Sequence, residues 1–239
     1  MDLYEYWNSF SDECDAFHVY AQKHLADFRT MFEQNQCRSV LSTCGSDLGI
    51  SSPSNMTKYI IGKHKGGRVI KKVKPGQIYE RTYYDSEGYP LAVERFNYIS
   101  SDTLPAKKGV NIYFVKYNGA IWTAEFSESG HLFDNHHKIE YDEKKRLKGF
   151  YKLYAGHFLY VQAEEYDYSQ IESGIMICLF TYYSGNASGT SQEIAIGFSG
   201  SPATQMKYVV QIGEKEKFTA MDIYKNIKGE FVFQEHKDL

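Results

Sequence analysis

The sequence predicts a mainly β protein of the α+β class, in which an N-terminal helical segment packs on a twisted antiparallel β-meander. One observation is compositional: 21 Tyr and 15 Phe among 239 residues favour strands, whose pleated, half-buried surfaces accommodate rings well. A second is a loosely repeated signature of an aromatic residue, a short polar turn and a leucine. It occurs as Tyr84-Asp85-Ser86-Glu87-Gly88-Tyr89-Pro90-Leu91, Phe126-Ser127-Glu128-Ser129-Gly130-His131-Leu132 and Tyr141-Asp142-Glu143-Lys144-Lys145-Arg146-Leu147. Each polar cluster reverses the chain between half-buried segments, so the repeat predicts hairpins. The third is the apolar series Leu3, Tyr6, Phe10, Cys14, Phe17, Ala21, Leu25, Phe28 and Phe32, whose steps of three and four place it on one stripe of an α-helix.

Taken in order, the chain divides into a helical segment at 1–41, a connector at 42–57 and an antiparallel β domain at 58–239, with helix and sheet forming one globular unit. Ser11, followed by Asp12 and Glu13, is a candidate cap for a second helical start, which leaves one long helix or two short ones open. His18 and His24 flank the stripe as ordinary residues. Ser, Gly and Pro concentrate between Ser42 and Asn55, as in a connector. Strands are expected near Tyr59–Ile61, Arg68–Val73, Ile78–Tyr84, Ala92–Tyr98, Val110–Lys116, Ala120–Phe126 and His137–Tyr141. They continue near Gly149–Leu153, Phe158–Glu164, Gly174–Tyr183, Glu193–Phe198, Lys207–Ile212, Phe218–Tyr224 and Glu230–Phe233. Turns fall at Asn118-Gly119, Gly185-Asn186 and Lys228-Gly229. Their uneven spacing argues against a propeller or solenoid. The helix is expected to cover a face or an open edge of the sheet, because an uncovered edge invites association.

A net charge of −3 and a pI near 6.2 lack the broad positive field of a nucleic-acid binder. Cys14, Cys37, Cys44 and Cys178 form no CxxC pair and fit no disulfide scaffold, so four packed, reduced thiols and no metal or cofactor are expected. The N-terminus is acidic, and no stretch approaches the ~20 apolar residues of a membrane span, which reads as cytoplasmic with no membrane partner.

The densest group of metal-ligand residue types is His131, Asp134, His136 and His137. On a strand His136 and His137 point to opposite faces, and the segment reads as a solvated turn. Nucleophilic catalysis has no GxSxG elbow or comparable frame. The basic run from Lys58 to Arg68, continued by Lys71, Lys72 and Lys74, lacks the P-loop order and reads as a solvated hairpin. Of opposite sign, Glu164, Glu165, Tyr166, Asp167 and Tyr168 combine three carboxylates with two phenols. Such a run suits a partner-facing surface, the acids steering encounter and the rings giving rigid contact area.

The units from Ile78 to Gly88 and from Lys138 to Gly149 resemble degenerate YD-type and MORN-variant hairpins of bacterial polymorphic-toxin systems, including their cytoplasmic immunity proteins. The resemblance covers roughly residues 78–154, and the turn glycine is replaced by Lys145 in its last unit. It implies a non-enzymatic binding protein that neutralises a cognate protein toxin by direct binding. Two other readings stand beside it: a carbohydrate- or ligand-binding β module that stacks sugars on exposed Tyr or on Trp122, and a hydrolase whose site is assembled from distant residues.

Overall fold

The computed structural model describes residues 3–44, 48, 51–54, 56, 67–74, 77–97, 107–155, 158–186, 204–214 and 217–239. Two helices, α1 (Leu3–Lys23) and α2 (Leu25–Asn35), precede β1 (Arg38–Thr43), β2 (Tyr79–Tyr84), β3 (Pro90–Asn97), β4 (Lys107–Tyr117), β5 (Ala120–Ser127) and β6 (Asn135–Tyr141). Then follow β7 (Leu147–Ala155), β8 (Phe158–Asp167), β9 (Ile175–Asn186), β10 (Thr204–Ile212), β11 (Phe218–Ile227) and β12 (Glu230–Asp238). The strands are ordered β1 to β12, each hydrogen-bonded to its neighbour in sequence. This is the mainly β meander with an N-terminal helical segment that composition and periodicity predict.

Several elements differ from expectation. The helix breaks at His24, while Ser11 lies buried inside α1 instead of capping a second start. Residues 38–43, expected in the helical segment and connector, form β1, because every residue from Arg38 to Thr43 finds a register partner in β2. Of the expected strand Arg68–Val73 only Val69 bridges, to Ser42. Gly185-Asn186 is no turn: it pairs with Leu159 and Phe158 at the end of β9. His136 and His137, expected in a solvated turn, are buried in β6. The expected strands Tyr59–Ile61 and Glu193–Phe198 lie outside the described residues.

The repeated signature builds one recurrent turn. In its three copies the residue after the aromatic accepts the first closing bond at its carbonyl: Gly88 N–H donates to Asp85 O (3.2 Å), Gly130 N–H to Ser127 O (3.0 Å) and Lys145 N–H to Asp142 O (2.9 Å). A side-chain oxygen of the same residue accepts the N–H four positions on, from Tyr89, His131 and Arg146 at 2.8, 3.0 and 2.9 Å. The fourth residue takes positive φ in each, 90° at Gly88, 85° at Gly130 and 61° at Lys145. Asp and Ser suit the first position because their oxygens bond nearby amides, and glycine suits the last because it has no Cβ to clash. Asn118-Gly119 and Lys228-Gly229 instead make two-residue hairpins with φ positive at both residues, as primed turns require.

Contacts cluster into two compact units, one of residues 16–136 and one of residues 1–15 with 137–239. In the first, the helices cover one face of β2–β5. Phe17 is buried and stacks on buried Trp122 (ring centroids 4.8 Å apart), Phe28 meets Tyr113, and Phe32 meets Tyr83 edge-on. Ring pairs of this kind add about 0.5–1.5 kcal/mol each to area burial. The opposite face carries Thr82, whose hydroxyl lies 3.4 Å from that of Ser51 in the connector. In the second unit Phe10 of α1 packs on Tyr151 of β7, and Glu13 accepts from the Lys138 ammonium at 2.6 Å.

Candidate functional site

The five residues chosen as a partner surface fall on β8 and just beyond it, and strand alternation divides them. Glu164 is completely buried and Tyr166 nearly so. Gln162 Nε2 donates to Glu164 Oε1 at 2.6 Å and the Tyr166 hydroxyl donates to Oε2. Both Tyr166 and Tyr208 pair in register with Cys178, whose buried thiol is pushed well up, by burial first and then by the Glu164 charge. Burial therefore removes Glu164 and Tyr166 from the surface on which the sequence placed them. The network keeps a carboxylate inside the sheet by giving each of its oxygens a donor.

Glu165, Asp167 and Tyr168 retain exposure. Glu165 lies half-buried on the other face of β8, its carboxyl pushed up by burial and by neighbouring Glu140. Asp167 is exposed and accepts from the backbone N–H and hydroxyl of Ser169 at 2.8 and 3.1 Å. The Tyr168 hydroxyl donates to Leu147 O at 2.8 Å, and the Arg146 guanidinium sits 4.2 Å over its ring. Asp142 holds Arg146 through both Nε (2.7 Å) and Nη2 (2.6 Å). Burial raises the Tyr168 phenol to about 12, so it remains a neutral donor. Tyr168 and Arg146 thus form a clamped aromatic–guanidinium pair next to exposed Asp167.

The histidine cluster assembles differently from its sequence grouping. His136 Nε2 lies 3.2 Å from Nδ1 of His18, a helical residue expected to be mere flank, and the same Nδ1 lies 3.3 Å from Asp134 Oδ1. Burial, and secondarily His18, lowers the His136 pKa to about 4. His137 instead stacks on Phe150, and His131 contacts Phe133. Among the described residues no group of three or more His, Cys, Asp or Glu is placed to hold a metal ion. Most of the basic run, Lys58 to Gly66, lies outside the described residues; Arg68, Lys71, Lys72 and Lys74 follow in irregular chain. Trp122 is buried under Phe17 and offers no sugar platform.

A charged network that the sequence reading missed lies on the non-helical face of β1–β5. Ser42, Glu80 and Arg95 are successive register partners across β1, β2 and β3, and Glu125 joins the same face two positions along, opposite Ile112. Arg95 Nε donates to Glu80 Oε1 at 2.9 Å, and its Nη1 lies 3.9 Å from Glu125 Oε1. The Cys44 thiol points at Glu80 Oε1 (3.5 Å), and Asn135 Nδ2 at Glu125 Oε2 (3.5 Å). Burial pushes the Glu125 carboxyl up. Burial, with the Glu80 charge second, pushes the Cys44 thiol up and keeps it protonated. The only sequence signal was Glu80 at a strand centre, which an alternating pattern assigns to solvent.

No protein-family model, curated protein or solved structure matches the chain. No helix among the described residues is long and apolar enough to cross a membrane.

Proposed function

We propose that the protein is a non-enzymatic cytoplasmic binding protein whose ligand is another protein, most concretely an immunity protein that neutralises a cognate toxin by direct binding. The observation that carries the binding reading is the Tyr168–Arg146 pair, fixed by Leu147 O and Asp142, next in sequence to exposed Asp167, while half-buried Glu165 lies on the other face of β8. Tyr and Arg dominate the energetics of many interfaces. A pair already held in one conformation loses little side-chain entropy on association, and adjacent carboxylates accelerate encounter with a basic partner surface. The toxin reading rests further on the likeness of the hairpin units to those of toxin systems.

The experiment is co-purification with the product of an adjacent gene, followed by binding kinetics over a salt series. Replacing Glu165 and Asp167 together by Lys should slow association at low salt at least tenfold, with an effect that shrinks as salt screens the charges. The Asp167 part of the change should alter folding stability by no more than about 1 kcal/mol, since an exposed charge contributes little, and the denaturation midpoint of the double variant checks that half-buried Glu165 is replaced without unfolding. An unaltered association rate at every salt concentration would remove this surface from the interface.

A second reading has its own observation. Phe233 is exposed on β12 beside Tyr224, and the Lys207 ammonium lies over the rings of Tyr224 (4.6 Å) and Phe231 (5.0 Å). Rings so displayed can stack on a sugar, and retention on immobilised polysaccharide that Phe233→Ala abolishes would favour the ligand-binding module.

A further inference from the structure

We propose that the protein pairs with a second copy of itself, β12 against β12, antiparallel about a two-fold axis at Phe233. β12 is the last strand of the sheet, and the phase of its ladder shows which backbone groups β11 leaves unused. Leu239 N–H donates to Thr219 O at 2.9 Å, so Lys237 and Glu235 also turn toward β11 while His236 and Asp238 turn outward. Glu230 closes the two-residue turn against Ile227, so Phe231 and Phe233 turn outward as well, and the register skips Gln234 as the extra residue of a bulge. The Gln234 amide donates to Val232 O (3.0 Å) and Phe233 O (3.1 Å), and a carbonyl with two lone pairs accepts a second bond. Half of the large apolar side chains exposed among the described residues lie here, at Ile227, Val232, Phe233 and Leu239. An edge of this kind invites strand addition.

Charge selects a second copy and its register. With Phe233 opposite Phe233 and the bulge allowed for, Phe231 of each copy faces His236 of the other, and Glu230 faces Lys237. Glu230 and Lys237 stand on one face of the sheet, opposite Ile227 and Met221 of β11, so the pair forms twice as a cross-strand ion pair. The Lys237 ammonium is otherwise held only by Glu235 of its own strand, at 2.9 Å. Sliding toward the turn sets Lys228 against Lys237, and sliding away sets Lys237 against Val232 and Asp238 against Phe231. The contact closes at two copies, because the outer edge of β1 is already taken: Thr43 N–H donates to Arg68 O and Ile70 N–H to Leu41 O, both at 2.9 Å.

The test is sedimentation equilibrium of the full chain over a concentration series. The unaltered chain should dimerise. Glu230→Lys and Lys237→Glu each set like charges together twice per dimer, and each should raise the dissociation constant at least about tenfold. The double variant should recover the dimer, and an equal mixture of the two single variants should form heterodimers. A chain of single mass at every concentration up to about 1 mM overturns the proposal and leaves the edge to a strand of another protein. A dimer that neither single variant weakens also overturns it, as does a double variant that recovers nothing. Should a single variant fail to fold, amide exchange of the unaltered chain decides. Protection at Phe231 and Phe233 that rises with concentration supports the pairing, and exchange there that is equally fast at all concentrations overturns it.

Discussion

Single residues carry two testable consequences. Lys145 occupies, at φ 61°, the turn position that Gly88 and Gly130 fill in the other copies, and a side chain in the left-handed region is strained. Lys145→Gly should therefore stabilise the protein by about 0.5–1 kcal/mol, the relief of strain exceeding the added entropy of an unfolded glycine; urea unfolding of the two forms checks it. His136 gives a pH dependence. Its folded pKa, about 4, lies below its ordinary 6.5 because the buried ring is held neutral. The unfolded chain therefore binds the proton first, and stability falls as pH drops from about 6.5 to about 4, by roughly 3 kcal/mol in total. Above about pH 6.5 the contribution is level. Denaturant midpoints at pH 7 and pH 4.5 should differ less in His136→Gln than in the unaltered protein, and equal pH slopes would contradict the assignment. His18 and Asp134 face the ring system, so the same comparison in His18→Gln separates their share.

At the scale of elements, the helical stripe is structural. Phe17 is 0% exposed and lies among Trp122, Tyr117 and His136, so Phe17→Ala should cost about 3–5 kcal/mol. Phe28→Ala, at a buried position against Tyr113 and Tyr20, belongs in the same range. Unchanged denaturation midpoints in both would detach the helices from the core. The stripe was legible because three-and-four spacing has one geometric meaning. The hairpin copies were legible because Asp, Ser and Gly at fixed offsets satisfy turn amides locally. Residues 38–43 were not, since Val40 and Leu41 extend an apolar series as readily as they enter a strand, and only the distant β2 decides between the two.

Across the whole molecule, the four cysteines test the expectation of free thiols. Cys14 and Cys178 are buried, with thiols pushed well above their ordinary range by burial, whereas Cys37 is exposed. Native protein should react rapidly at Cys37 alone and yield four thiols after denaturation without reductant; fewer than four would reveal a bridge. The sequence by itself determined what short-range physics controls: the helical stripe, the turn chemistry and the hairpins that those turns close; strand order it left open, and β1 reaches β2 only across the long segment between Thr43 and Tyr79. It did not determine burial of polar side chains. Glu80 on a Tyr-Glu-Arg-Thr-Tyr strand and Glu164 within Val-Gln-Ala-Glu-Glu-Tyr both occupy positions that alternation or charge assigns to solvent. They are enclosed because Arg95 in one case, and Gln162 with Tyr166 in the other, supply the donors that replace water. Whether a carboxylate faces solvent or a protein donor depends on which strand is brought alongside and what covers it. Those are tertiary facts, because the free energy of a buried charge resides in its neighbours and not in its own identity.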